Sequence, residues 1–214
     1  MMHALVVYCH PRTDSFTAAV RDVVVERLNA KGAKIRLRDL YAEEFEPALS
    51  AMEHEKYEVC PENCEAVQSH VDDLRWCDTL IFIYPTWWYG PPAVLKGWLD
   101  RVLLPDVAFL LPDPDSATIQ PGLGHIGRLG VFTTCGASRW LTMLVGAPGK
   151  RTLMRGVGIL CAKPLKKVFA AHYLMDSSTN ASRRRHLDRI SKKMDRFIGS
   201  RTNAKETHAA KEIL

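Results

Sequence analysis

The chain has 214 residues, enough for one well-buried core at the usual ~100–200 residues per domain. With 47% hydrophobic and 25% charged residues it sits near the average of soluble globular proteins, which excludes disordered, collagen-like and coiled-coil classes. The net charge of +5 conceals an asymmetry: residues 1–149 carry 13 basic and 19 acidic side chains, residues 150–214 carry 16 and 5.

A β-branched and aromatic run predicts a first strand over 4–8. Ser15 then offers an N-cap, Phe16, Val20, Val23, Val24 and Leu28 follow at helical spacing, and Lys31-Gly32 closes that helix. A second strand is predicted over 34–39, a helix over 64–76 and a third strand over 79–84. Next, Pro91-Pro92 opens a helix whose apolar stripe is Val94, Leu95, Trp98, Leu99, Val102 and Leu103. Lys96, Asp100 and Arg101 lie off the stripe, and Pro105 ends the helix. The connection over 104–128 is proline-rich and aperiodic, as loops that cover a site or form an interface often are. A strand over 129–133, a helical region within 139–162 broken near Pro148-Gly149, a strand over 168–173 and a basic helix over 180–199 complete the pattern. Strands alternating with helices predict right-handed parallel crossovers. The economical fold is a flavodoxin-like, doubly wound five-stranded parallel sheet of order 2-1-3-4-5 with helices on both faces. It is read as one domain over 1–199 with a flexible C-terminal tail over 200–214.

The six cysteines, Cys9, Cys60, Cys64, Cys77, Cys135 and Cys161, follow no repeated spacing and read as reduced thiols of a cytoplasmic protein. Cys60 and Cys64 lie near His54 and His70, but no second cysteine pair completes four zinc ligands, so no metal is expected. No basic region followed by a long apolar run opens the chain, and the stretch over 91–111 is broken by charges and prolines, so neither a leader nor a membrane span is expected. Gly122-Leu123-Gly124-His125-Ile126-Gly127 matches G-x-G-x-x-G but precedes a strand, so its context is wrong for a dinucleotide fingerprint. There is no G-x-S-x-G elbow and no Walker loop.

In open α/β sheets ligands bind beyond the carboxyl ends of the strands, which directs attention to 9–17, 85–90 and 134–139. The first segment brings His10, Thr13, Ser15 and Thr17 to a helix N-terminus, suited either to a phosphate or simply to capping. The second places Trp87, Trp88 and Tyr89 in succession after a central strand, where neither strand alternation nor a helical stripe buries all three. Either a planar ligand stacks there, or the aromatics pack a helix or subunit interface. The third, Thr133-Thr134-Cys135-Gly136, offers hydroxyls and a glycine for close backbone approach, or an ordinary strand-to-helix turn.

The run from Tyr84 to Val102, with His10, Ser15-Phe16-Thr17 and Thr133-Thr134-Cys135-Gly136, resembles the NAD(P)H:quinone oxidoreductase family of flavodoxin-like flavoproteins. The resemblance covers about residues 3–175 and weakens toward the C-terminus. It implies that His10, Ser15, Phe16 and Thr17 hold the phosphate and ribityl portion of a flavin. Pro85, Thr86, Trp87, Trp88 and Tyr89 would lie beside its ring, and Thr133, Thr134, Cys135 and Gly136 would border its pyrimidine edge. It further implies FAD, with FMN as the alternative, NAD(P)H as co-substrate, a ping-pong hydride transfer to a quinone-class acceptor, and a homodimer with the flavin at its interface. The Tyr and His of the mammalian enzymes have no counterparts after Gly136, where Arg139 and Trp140 stand. Arg139 is therefore the one candidate for stabilising reduced-flavin charge. Two other readings remain: a regulatory flavoprotein docking on a partner or transporter through its basic C-terminal part, and a thiol redox sensor at Cys135. Nucleic-acid binding is not expected, because Arg183-Arg184-Arg185 has no interleaved aromatics.

Overall fold

In the computed structural model, which describes residues 1–112 and 118–199, strand β1 (His3–Tyr8) leads through α1 (Phe16–Ala30) to β2 (Lys34–Asp39). A short helix α2 (Ala51–Glu55) and a 3-10 stretch precede α3 (Gln68–Trp76), and β3 (Thr79–Thr86) runs into α4 (Ala93–Val102). Two-residue strands β4 (Phe109–Leu110) and β5 (Gln120–Pro121) pair antiparallel within the proline-rich connection and lead to β6 (Arg128–Cys135). After α5 (Arg139–Leu144), a helical stretch made of α6 (Pro148–Arg151), a π-helical segment and α7 (Gly158–Leu160) leads to β7 (Lys166–His172). The last helix, α8, spans Asn180–Ile198. The tail expected over 200–214 lies outside the described residues.

The five long strands form one parallel sheet of order β2-β1-β3-β6-β7, the 2-1-3-4-5 order expected. The alternation of side chains across the strands builds two cores. Leu5, Val7, Leu80, Phe82, Leu129 and Val131 face α3 and α4, while Ala4, Val6, Ile81, Ile83, Phe132 and Val168 face α1 and α8. Central strands covered on both faces need near-continuous apolar sequence, and β3 is buried from Thr79 to Pro85. Trp98, fully buried on α4, meets Phe82 edge-on at 5.8 Å between centroids and donates its indole N–H to His70 Nδ1 (3.3 Å). Desolvation holds His70 down to about 4, so the ring stays a neutral acceptor.

Register creates the opening at the strand ends. β1 stops with Tyr8 opposite Ile83, whereas β3 and β6 stay paired to Thr86 and Cys135. The two strands therefore overshoot β1 by three residues and leave a crevice above its end. Ser15 aims α1 at that crevice: its Oγ accepts the Ala18 N–H (3.1 Å), and Lys31 and Gly32 (φ +70°) close the helix as expected.

Four features differ from the expectations. β6 runs two residues farther than the predicted 133, because Thr134 and Cys135 stay in register with β3. The predicted helix over 64–76 divides into a 3-10 turn and α3 at Gln68. α2 and the β4–β5 pair were absent from the periodicity, being five and two residues long. Arg101, expected on the solvent side of α4, is buried at 8% exposure. Its Nε donates to Glu53 Oε1 on α2 (2.9 Å), Nη1 donates to the Glu46 carbonyl, and the guanidinium lies over the Phe45 ring. The 45–55 segment thus covers that side of α4, where Gly97 also meets it: a Cβ there would stand 2.2 Å from the Pro47 carbonyl oxygen. Removing Arg101 leaves the Glu46 carbonyl without this donor and takes the ion pair from Glu53, whose carboxylate keeps only its bonds from Ser50 N–H and Oγ. Arg101→Ala should lower unfolding free energy by about 2–3 kcal/mol in urea titration. Lys96→Ala, which breaks the exposed Lys96–Asp100 pair, should cost about 0.5 kcal/mol or less.

Candidate functional site

A cleft of about 680 Å3 opens at the carboxyl ends of β1, β3 and β6, within the usual range for small-molecule sites. Its first wall is the β1–α1 turn, represented by His10, Phe16 and Thr17. His10 Nδ1 is held by the Arg12 backbone, 3.0 Å from its N–H and 3.1 Å from its carbonyl oxygen. Desolvation lowers the His10 pKa and keeps the neutral form dominant. The N–H groups of Phe16 and Thr17, in the first turn of a 15-residue helix, have no intrahelical acceptor and present the positive end of its dipole.

The second wall is the turn after β3. Pro85 is buried, Thr86 is partly buried, and Trp87 and Trp88 are exposed, Trp88 at 95%. Trp88 and Tyr89 both adopt left-handed backbone, φ +47° and +63°, a conformation bulky residues rarely hold without support from around them. Two bonds between Trp87 and Gly90, N–H to carbonyl in each direction (3.1 and 3.0 Å), pinch the turn shut. Gly149 N–H at the start of α6 caps the Tyr89 carbonyl at 3.0 Å. A side chain at Gly149 would press on that same carbonyl at 3.2 Å. The turn is thus held from two sides while its indole projects.

The third wall is Thr134, Cys135, Gly136 and Ala137, with Met175 and Asp176 opposite. A Cβ on Gly136 would stand 2.9 Å from an Asp176 carboxylate oxygen, so glycine permits that approach. Hydroxyl pairs tie the walls together: Thr17 Oγ1 to Thr134 Oγ1 at 3.0 Å, and Thr86 Oγ1 to Thr133 Oγ1 at 2.7 Å.

Of the residues singled out from the sequence, His10, Phe16, Thr17, Pro85, Thr86, Trp87, Trp88, Tyr89, Thr134, Cys135 and Gly136 line this one cleft. Three do not. Ser15 spends its hydroxyl on the helix cap, and Thr133 turns its hydroxyl to Thr86 beneath the surface. Arg139, at the start of α5, lines a separate recess with Lys150 and Phe169. Met175 and Asp176 escaped the sequence reading because they come from a three-residue 3-10 turn after β7, a strand taken as the far edge of the sheet. Their only sequence signal is that they too follow a strand's carboxyl end.

Cys135 is 4% exposed, and its Sγ lies 3.8 Å from Thr142 Oγ1, so the thiol lacks the access a redox sensor requires. No group of three or more His, Cys, Asp or Glu able to hold a metal ion occurs among the described residues. The described helices also include none long and apolar enough to cross a membrane.

Strand order, crossovers and a cleft at the switch point define a doubly wound α/β protein with an opening for a ligand placed beyond the strand ends, where ligands of such sheets bind. Residues 2–194 match the model of the family described as having the flavodoxin-like fold, and the chain belongs to that family. It is 34% identical over 146 residues to ribosyldihydronicotinamide dehydrogenase [quinone] of Pongo abelii, covering 60% of this chain and 62% of that protein. It is 32% identical over 143 residues to an uncharacterized NAD(P)H oxidoreductase of Haemophilus influenzae, covering 64% and 66%. The chain thus spans slightly less than two thirds of the length of these curated relatives. Among solved structures, the NAD(P)H:quinone oxidoreductase of Methanothermobacter marburgensis superposes with a TM-score of 0.75 at 26% identity, over 90% of this chain and 97% of that one.

Burial ranks the thiols. Desolvation pushes Cys9 and Cys77 up to about 12 and Cys161 up to about 11, whereas Cys60 is exposed. A water-soluble disulfide reagent should therefore titrate one fast thiol per native chain, lost in Cys60→Ser and retained in Cys135→Ser. All six should react in denaturant.

Proposed function

We propose that the protein is a flavin-dependent NAD(P)H oxidoreductase that reduces a quinone-class acceptor to the hydroquinone, with FAD as the flavin and FMN as the alternative. The observation that carries this reading is the cleft itself. A planar aromatic lip (Trp87, Trp88, Tyr89), a helix N-terminus and a glycine-bearing turn converge at a switch point, and each has the chemistry to suit a different portion of a flavin nucleotide. The names of the relatives, quinone-reducing dehydrogenases and NAD(P)H oxidoreductases, support the reaction class.

The first N–H groups of α1 suit the phosphate, with Thr17 and the His10 imidazole beside them. The indole of Trp88 supplies flat area against a ring, and Thr134 to Gly136 bring backbone groups to its polar edge. A bound flavin would supply two-electron chemistry between NAD(P)H and the quinone, one hydride from the nicotinamide and one proton from water completing the hydroquinone, and the two substrates would use one pocket in turn. The protein contributes alignment and exclusion of water, and donors where negative charge develops. Ser15 and Thr133 serve this as positioning residues, through the cap and the Thr86 hydroxyl. We assign no side chain as acid or base.

We further infer a homodimer that closes over the lip. Besides Trp88, the α5 segment exposes Trp140, Met143, Leu144 and Val145, an apolar area of the kind that interfaces cover. The six free cysteines suit a cytoplasmic location, and residues 1–199 are taken as one folding unit.

Purified protein should be yellow and should bleach on anaerobic addition of NAD(P)H. Chromatography of the released cofactor separates FAD from FMN, and parallel double-reciprocal plots are expected for the two substrates. Trp88→Ala should weaken flavin binding about tenfold, the value of an aromatic stacking contact, while shifting the stability of the dissociated protomer by no more than about 0.5 kcal/mol, because within one protomer the side chain is almost wholly exposed. The reverse ranking would assign the lip to packing and remove the flavin reading.

A further inference from the structure

We propose that a second cavity, between the end of β7 and the first turns of α8, is an oxyanion site that takes a phosphate group. It measures about 350 Å3 and is lined by His172, Ser178, Ser182, Arg185, His186 and Arg189. It shares no residue with the aromatic-lipped cleft. The two lie on opposite sides of the 175–177 turn, Met175 and Asp176 facing the cleft while Leu174 and Ser177 face this cavity.

Two observations point to a ligand. First, His172 and His186 are 8% and 3% exposed, and both line the cavity. Their rings meet edge to face at 5.0 Å, and His172 Nδ1 and His186 Nε2 are buried with no hydrogen-bond partner among the described residues. Buried polar nitrogens are rarely left unpaired, because desolvation is then uncompensated. Second, the charged side chains of the lining are cationic and none is acidic. Arg185 and Arg189 stand one helical turn apart on the same face of α8, whereas Ser182 Oγ is committed to the helix cap, donating to the Thr179 carbonyl (2.8 Å), and Ser178 Oγ accepts from Arg183 Nε (2.8 Å). Two guanidinium groups exclude a cation, and their planar forks match a tetrahedral oxyanion.

Burial, His172 and Arg189 together hold His186 down to about 4, and burial lowers His172, with Arg183 and Arg189 adding to it and the backbone of Tyr173 and Ser182 opposing it. An oxyanion reverses the sign of the local field, so binding should draw protons onto the imidazoles. Free phosphate and the phosphate monoester of a nucleotide share this chemistry.

The test does not depend on the flavin reading. The purified protein is titrated at pH 6.5 with inorganic phosphate, and separately with adenosine 2′-monophosphate, with chloride holding the ionic strength. Heat is recorded, and the imidazole C–H resonances of His172 and His186 are followed. One saturable site per chain is expected, with both imidazoles moving toward their protonated positions. Arg185→Ala and Arg189→Ala, both exposed substitutions, should each weaken binding about tenfold, as for a lost charge-assisted hydrogen bond. Lys192→Ala, an equal charge change on α8 outside the lining, should alter it less than about twofold. Tighter binding of the nucleotide identifies a nucleotide as the source, and equal binding identifies free phosphate. Failure to saturate, or an equal loss in Lys192→Ala, would reduce the effect to diffuse attraction to a basic helix and overturn the site. Loss of bound flavin in the arginine variants would merge the cavity with the cleft and overturn its independence.

Discussion

Two hydroxyl–hydroxyl hydrogen bonds at the switch point connect everything that builds the cleft. Thr17 on α1 meets Thr134 on β6, and Thr133 on β6 meets Thr86 on β3. These contacts exist because β3 and β6 stay in register beyond the end of β1. Alternate side chains of β6 then point to opposite faces: Thr134 reaches the helix that β1 leads into, and Thr133 reaches the strand beside it. Valine at Thr17 or Thr134 would keep the shape and leave the buried hydroxyl of the other without this partner. The same extension carries Cys135 under Thr142, so the turn at Gly136 begins from a fixed point.

Much of this was legible, for reasons particular to each element. Ser15 was readable as a cap because a short hydroxyl residue directly precedes a helical apolar stripe, and the structure spends its Oγ on Ala18 N–H. The strand order was readable because crossovers of this length leave few topologies for five parallel strands. The aromatic lip was readable from its misfit: three consecutive aromatics suit neither period, and Trp88 is indeed left outside the core. What escaped depends on distant contacts. A helical wheel places Arg101 toward solvent because it contains no information about α2, which brings Glu53 to that face. Met175 and Asp176 join the cleft only because β7 pairs beside β6, and no local pattern marks a residue whose role comes from a neighbouring strand.

The charge asymmetry of the sequence does not divide the structure. β6, from the acidic part, pairs along its length with β7, from the basic part, and α8 packs its Ile190, Met194 and Phe197 into the core that α1 builds with Val20, Val24 and Leu28. Arg27 on α1 reaches Asp195 on α8, partly buried, so the two parts are also joined by an ion pair. The basic surplus is concentrated where α8 turns away from that core. Arg185 and Arg189 flank one cavity, while Arg139, Lys150 and Lys193 crowd the neighbouring recess along β7. The acidic part, by contrast, has little cationic charge to offer an anion at the main cleft, so attraction there falls on the α1 dipole and on backbone donors.

That division of labour bears on rigidity. A backbone-built anion site works only if the backbone cannot retreat, and each wall here is fixed by a contact from outside itself. The α1 turn is held by the Ser15 cap and the Thr17–Thr134 bond, and the lip is held by Gly149 N–H on the Tyr89 carbonyl. The left-handed residues Trp88 and Tyr89 store conformational energy that would otherwise be released by relaxing the turn. The Trp87–Gly90 pairing and the close approach of Gly149 remove that option, which leaves the projecting indole with few alternatives to the position it occupies. The flat ligand proposed for this lip would therefore meet a surface that is already formed, with little of its binding energy lost to ordering the loop.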